Sequence, residues 1–304
     1  MQNRLMVGGQ AVIEGVMMRG PKLTATAVRD PQGEIQVEAN PVHSITERFP
    51  ILKKPMLRGS VSLVESLIIG MKSLSYSAQM AGEEDEKLTD KELAGTIVFA
   101  LVLASILFIA IPTGAAKLFH DITEDPFFLN LMEGFLRLAI FLLYIWGISR
   151  MKDIRRVFQY HGAEHKTIHC YEAGLPLTVE NVQKFSRLHP RCGTNFLLIV
   201  MLVSIFVFAF LGWPSLWERI ASRILLLPVV AGISYEIIRL AGRSQNAIIQ
   251  TAIKPGLWLQ YLTTRPPEDE MVEVAIESLK AVLPAEEITA GSGEYRKTEE
   301  VLVP

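Results

Sequence analysis

The sequence has very little cysteine: two residues in 304, Cys170 and Cys192. That argues against a disulfide-stapled secreted fold and favours reduced thiols. It has no surplus of positive charge either. Lys and Arg number 30 against 32 Asp and Glu, a formal net charge of −2. Nucleic-acid binding is therefore not expected, because no general basic excess is there to neutralise phosphates. Met1 to Gly20 lacks the basic start and clean apolar stretch of a signal peptide. Glycines at 8, 9, 15 and 20 suit tight turns or close backbone approach, but no Gly-Lys-Ser/Thr ending makes them a phosphate loop. No solenoid-type repeat is found.

Charge is scarcest across the middle. Half of the residues are hydrophobic and only 20% are charged, and the mean hydropathy is +0.29. A membrane-spanning helix needs about 20 mostly apolar residues. Leu93 to Ala116 is uncharged and reads as a first span, broken late by Pro112 and Gly114. Phe127 to Ser149 reads as a second, with Glu133 and Arg137 at i,i+4 spacing. Thr194 to Trp217 is a third, with Trp213 and Trp217 suited to an interfacial belt. Ile220 to Leu240 is a fourth, although its uncharged core is only Ile224 to Tyr235. Lys and Arg alternate along this scheme: 11 in residues 1–92, 2 in 117–137, 8 in 150–194, 2 in 213–223 and 7 from 239 onward. Short loops rich in Lys and Arg stay cytoplasmic. The expectation is an α-helical integral membrane protein of two transmembrane hairpins, with both termini and the 150–193 loop in the cytoplasm.

The flanks divide by pattern. Residues 1–58 read as a small β-rich cytoplasmic region: Leu23 to Arg29 is β-prone, Asp30-Pro-Gln-Gly33 is a turn, and Glu34 to Glu38 alternates again. Residues 59–92 hold an amphipathic helix and linker, with Leu63, Val64, Leu67, Ile68, Met71 and Leu74 at helical spacing. That run is too short to span, and suits a helix lying on the membrane or beneath the bundle. The hairpins occupy 93–149 and 194–241, separated by the His/Cys loop 150–193. In the cytoplasmic tail 242–304, Pro266-Pro267-Glu-Asp-Glu270 opens an amphipathic helix through Val274, Ile276, Leu279 and Val282. Residues 286–304 form a polar end.

Four of the six histidines, at 161, 165, 169 and 189, fall in the loop that also holds both cysteines. A helix continuing out of the second span and ending near Gly174 carries His161, His165 and His169 four apart, on one face, with Glu172 three further on. His161-Gly-Ala-Glu164-His165 is the inverted zincin signature. Two imidazoles one turn apart can chelate Zn²⁺ at about 2.0–2.1 Å, with Glu164 placed to act as general base on an activated water. Further ligands must come from elsewhere. His189 and Cys192 precede the third span on the same side, Glu236 sits near the cytoplasmic end of the fourth, and His169 and Glu172 are local alternatives. Each has a plainer reading. Cys192 fits a structural metal as well as a catalytic one, Glu236 fits an interface carboxylate paired with Arg239 or Arg243, and Cys170 points away from the histidines into a core.

These residues resemble the YqhQ-like bacterial membrane family, whose members are catalogued as predicted metal-dependent enzymes of unknown function. The similar stretches are Gly9-Gln-Ala-Val-Ile-Glu-Gly-Val-Met-Met-Arg19, Tyr160-His-Gly-Ala-Glu-His-Lys-Thr-Ile168 with Tyr171-Glu172, His189-Pro-Arg-Cys-Gly-Thr194, Tyr235-Glu236-Ile-Ile-Arg239 and Leu262-Thr-Thr-Arg265. The resemblance spans about Val7 to Leu283. It implies a bacterial integral membrane protein with a metal site, and supplies no substrate.

The leading expectation is a Zn²⁺-dependent hydrolase at the cytoplasmic leaflet of the inner membrane, acting on a membrane peptide or a lipid-linked amide or ester. The alternative is a non-enzymatic assembly or translocation accessory with a structural metal. The lowest-ranked is an ion or metal transporter using Glu133, Arg137 and Glu236.

Overall fold

The computed structural model describes residues 5–82, 90–115, 122–241, 246–285 and 287. Ala116, His120, Arg243 and the polar end from 288 lie outside them. The chain opens with four antiparallel strands in simple order, β1 (Gly8–Val12), β2 (Gly15–Arg19), β3 (Leu23–Arg29) and β4 (Ile35–Pro41). The Asp30–Gly33 turn closes as its sequence dictates: Asp30 Oδ1 accepts from the N–H groups of Gln32 and Glu34, and Gly33 takes φ 92°. A short helix α1 (Ile45–Arg48) and a 3₁₀ turn (Pro50–Lys53) lead to α2 (Leu57–Ala81).

Alternation along β3 gives the sheet two covered faces. Thr26 faces α2, where its hydroxyl meets Ser73 Oγ at 3.0 Å. Ala25 and Ala27, with Val16 and Met18 from β2, join a core with Tyr160, Ala163 and Tyr171 of α6 (Lys152–Ala173) and Met271, Val274 and Leu279 of α11 (Asp269–Val282). Each large apolar side chain buried there contributes about 1.5–3 kcal/mol by leaving water. The amphipathic C-terminal helix is thus an integral part of the sheet's core, and Ser278 donates to Ala25 O at 3.0 Å.

Helix α2 buries its small residues and leaves its large ones out. Gly59 approaches α9 (Leu216–Ala241) so closely that a Cβ would sit 2.6 Å from Tyr235 Cβ, while Val64, Leu67, Ile68, Met71 and Leu74 remain exposed. This matches the apolar stripe read from the sequence, turned away from the protein.

Among the described residues, three helices are long and apolar enough to cross a membrane: Ala94–Ala115, Pro126–Ile148 and Leu216–Ala241. The first comprises α3 (Asp90–Ser105), a π-helical turn (Ile106–Ala110) and α4 (Ile111–Ala115); the others are α5 and α9. Two expectations need correction. The third apolar run, Thr194 to Trp217, is not one helix: α8 (Gly193–Ala209) has 17 residues and stops before Gly212, φ 72°, and Pro214. Trp213 therefore lies in a loop, and Trp217 in the first turn of α9. Nor does the histidine helix continue from the second span. The chain turns at Ser149–Met151, where Arg150 stacks 3.5 Å from the Trp146 ring, and α6 begins afresh. A short α7 (Val179–Gln183) follows α6. Helix α10 (Ala247–Thr263), which carries Pro255 inside it, has no counterpart among the sequence expectations.

Candidate metal centre

Helix α6 presents its histidines inward because the opposite side carries the sheet core. Its course is set by two close approaches. A Cβ at Gly162 would fall 2.1 Å from Arg265 O, and Arg265 N–H donates to Phe158 O at 2.8 Å. Gly174, φ 82°, ends the helix in the left-handed conformation.

Both motif histidines are anchored in the same way. His161 Nδ1 lies 2.8 Å from Thr263 O and His165 Nδ1 2.5 Å from Arg187 O. A carbonyl only accepts, so each Nδ1 carries the hydrogen and a neutral ring offers its Nε2 lone pair. This backbone-held tautomer is how metal-binding imidazoles are commonly oriented. His161 Nε2 points at Cys192 Sγ, 3.1 Å away. His165 is 1% exposed and its Nε2 has no hydrogen-bond partner among the described residues. Cys192 caps the N-terminus of α8, accepting from Thr194 N at 3.4 Å, a position that favours a thiolate.

One donor atom from each of His161, His165 and Cys192 lies within 4.8 Å of the other two. Bonds of about 2.0–2.3 Å at tetrahedral angles need donors roughly 3.5 Å apart, so small side-chain shifts would close this set on one ion. The chemistry also fits. Burial opposes charge on both groups, yet Cys192 lifts the His161 imidazole to about 9 and the histidines push the Cys192 thiol well below its usual value. Each group thus favours the charged form of the other, a pairing that a bound cation would replace.

Glu164 lies beside this set. It is 4% exposed, Oε2 is 4.0 Å from His161 Nε2, and that oxygen has no hydrogen-bond partner among the described residues. Burial raises its proton affinity, partly offset by His165 and His161 and by the Gly9 N–H. Gly9 itself has no room for a side chain: a Cβ would sit 2.9 Å from Glu164 Cγ and 2.7 Å from Met17 O. Strand β1 thus passes directly over the carboxylate.

His169, Glu172 and His189 form a second, adjoining group within 4.8 Å. Its hydrogen bonds are already made. His169 Nε2 donates to Leu188 O at 2.9 Å, His189 Nδ1 accepts from Arg191 N at 3.2 Å, and Glu172 is shared between His189 Nε2 at 3.6 Å and the Arg191 guanidinium. Burial drives His189 down to about 4; against burial, His189 and Arg191 hold Glu172 down at about 2. This group reads as support for the turn that carries Cys192. Glu236 is in neither group. On α9 it forms a fork with Arg58, at 2.8 and 2.5 Å, with Arg239 at 3.9 Å. Cys170 is in the sheet core.

A family described as "Protein of unknown function (DUF1385)" matches residues 54–285. The chain belongs to it. The uncharacterized protein YqhQ of Bacillus subtilis (strain 168) is 40% identical over 302 residues, 93% of each chain. No solved structure matches. Of the residues at the centre, His161, His165, Cys192 and Thr263 lie inside the matched range, and Gly9 precedes it. Sequence reasoning missed Gln260 and the carbonyls of Arg187 and Thr263. The Leu262–Arg265 stretch was the signal for Thr263; Gln260, within an apolar run, carried only its own polarity.

Proposed function

We propose that this protein is a zinc-dependent hydrolase working at the cytoplasmic face of the bacterial inner membrane. The carrying observation is Glu164, a buried carboxylate with an unpartnered oxygen beside three converging donors, His161, His165 and Cys192. Zinc bound by those donors would polarise a carbonyl and make water nucleophilic near neutral pH. Glu164 would take the proton of the attacking water and return it to the leaving group, a role suited to a carboxylate whose proton affinity is raised by burial. Thr263 and Arg187 would hold the two imidazoles in the required tautomer through their carbonyls. A membrane peptide or lipid-linked amide or ester fits a site placed beside the apolar helices.

The membrane arrangement belongs to the same reading. Helix α8, at about 1.5 Å per residue, falls short of a ~30 Å hydrocarbon core, and would cross as a fourth pass where the bilayer thins around it. The alternation of Lys and Arg then puts both termini and α6 in the cytoplasm, with the exposed apolar face of α2 on the membrane surface.

A structural metal in a non-enzymatic accessory protein is the second reading, favoured by the closeness of Glu164, which could itself close a four-ligand shell. Substitution separates the two. On the hydrolase reading Glu164→Gln retains one zinc per chain by elemental analysis and fails to complement a null strain, while His165→Ala loses both. Loss of zinc in Glu164→Gln favours the structural reading, and full complementation by that variant ends the hydrolase reading.

A further inference from the structure

At the end of the apolar helices remote from α6, three arginines converge on one buried carboxylate. Glu133 on α5 is 1% exposed. Arg223 binds it through both nitrogens at 2.5 and 2.8 Å, Arg137 Nη2 at 2.8 Å and Thr113 Oγ1 at 2.9 Å. Arg219 is left over. Its Nη1 stops 3.7 Å from Glu133 Oε2, and its Nε and Nη1 are buried with no hydrogen-bond partner among the described residues. The residue is 6% exposed, with its guanidinium 4.0 Å from the Trp213 ring. Stacking on an indole stabilises a cation but satisfies no N–H.

The neighbouring helix is shaped around this centre. Pro112 has no N–H to offer Phe108 O four residues earlier, the helix takes a π turn over Ile106–Ala110, and Arg137 Nε donates to the freed carbonyl at 2.9 Å. Such π turns recur at functional sites. Between this segment and α9 runs a groove of about 630 Å³, walled by Leu101, Ile106 and Ile109 on one side and Leu216 and Ile220 on the other. Ser105 in its wall is bonded to its own helix. The other polar side chains reaching the groove are Thr113 and Arg219, which tie it to the charged centre.

We propose that this groove binds one anionic phospholipid, its phosphate on Arg219 and an acyl chain along the apolar walls. Three positive charges against one negative, counted among the described residues, call for an anion in a setting where uncompensated charge is costly. Free phosphate would answer the charge and leave the apolar walls uncovered. A lipid without net charge would do the reverse. The site is independent of the His161–His165–Cys192 centre and stands or falls separately from it.

Full-length protein in a neutral detergent, supplemented in turn with phosphatidylglycerol, phosphatidylcholine or inorganic phosphate, is examined by native mass spectrometry. One phosphatidylglycerol per chain is expected, retained in clear preference to phosphatidylcholine. Arg219→Gln is expected to weaken retention about tenfold, as loss of a charge-assisted contact does. Ala110→Trp, on the exposed wall of the groove and away from the arginines, is expected to weaken it as well. Equal retention of phosphatidylcholine, unchanged retention in Ala110→Trp, or retention of inorganic phosphate alone would overturn the proposal.

Discussion

Gln260 grips His189 by both ends of its side-chain amide: Nε2 donates to His189 O at 2.7 Å, and Oε1 accepts from His189 N at 2.8 Å. Gln260 is fully buried, so the clamp operates without competition from water. It ties α10 to the turn that delivers Cys192 to the histidines of α6. Gln260→Leu leaves the buried His189 N–H unpaired and His189 O with only the Cys192 N–H, at a cost of about 1–3 kcal/mol in stability. A lowered thermal midpoint together with faster zinc loss to a chelator is expected; faster zinc loss would be absent if the clamp did not position Cys192.

Neighbouring glycines on β1 provide a matched pair. A Cβ at Gly9 collides with Met17 O and the Glu164 side chain, whereas one at Gly8 meets nothing within 4 Å. Gly9→Ala is expected to displace Glu164 and abolish complementation while leaving bound zinc in place, and Gly8→Ala to be silent. Equal behaviour of the two in a complementation assay would argue that β1 does not shape the site.

Glu236 is expected to contribute nothing to metal binding, because its carboxylate is committed to Arg58. Zinc stoichiometry in Glu236→Gln should equal that of the parent protein. Stability should fall, since Arg58 loses its bidentate partner at the α2–α9 crossing. A drop in zinc content would return Glu236 to the list of ligands.

The acid response follows from His189, held down to about 4 by burial. The unfolded chain takes up this proton near pH 6.5, and the folded chain resists until about pH 4. The His189 contribution to stability is therefore full above pH 6.5 and is lost as pH falls through that window, by roughly 3 kcal/mol for a buried group of this kind. Unfolding midpoints of chelator-treated protein should decline between pH 6.5 and 4, and the decline should flatten in His189→Gln. An equally steep decline in the variant would assign the effect to other groups.

Much of this was legible residue by residue. Alternation marked β3 to its ends, the Asp30–Gly33 turn announced itself through its side chains, and α11 was visible from its acidic first turn and apolar stripe. Helix α8 was overread because an uncharged run continues past Ala209, while Gly212 and Pro214, which break it, carry no charge. Helix α10 was missed because Pro255 sits inside it and its apolar character is spread round the barrel.

The sequence by itself determined the chemistry on offer: long uncharged helices, a histidine stripe at one-turn spacing on α6, and a carboxylate between two of its imidazoles. These depend on composition and on the 3.6-residue period, which are local. Only the tertiary structure decided which distant groups meet that stripe. Cys192 rather than Glu236 faces His161, and the anchoring carbonyls come from Arg187 and Thr263. Those choices rest on how α8 packs against α10, which brings Cys192 at the start of one and Thr263 at the end of the other to His161. Contacts between residues far apart in the chain are set by the burial of whole helix faces and close glycine approaches, which no local spacing encodes.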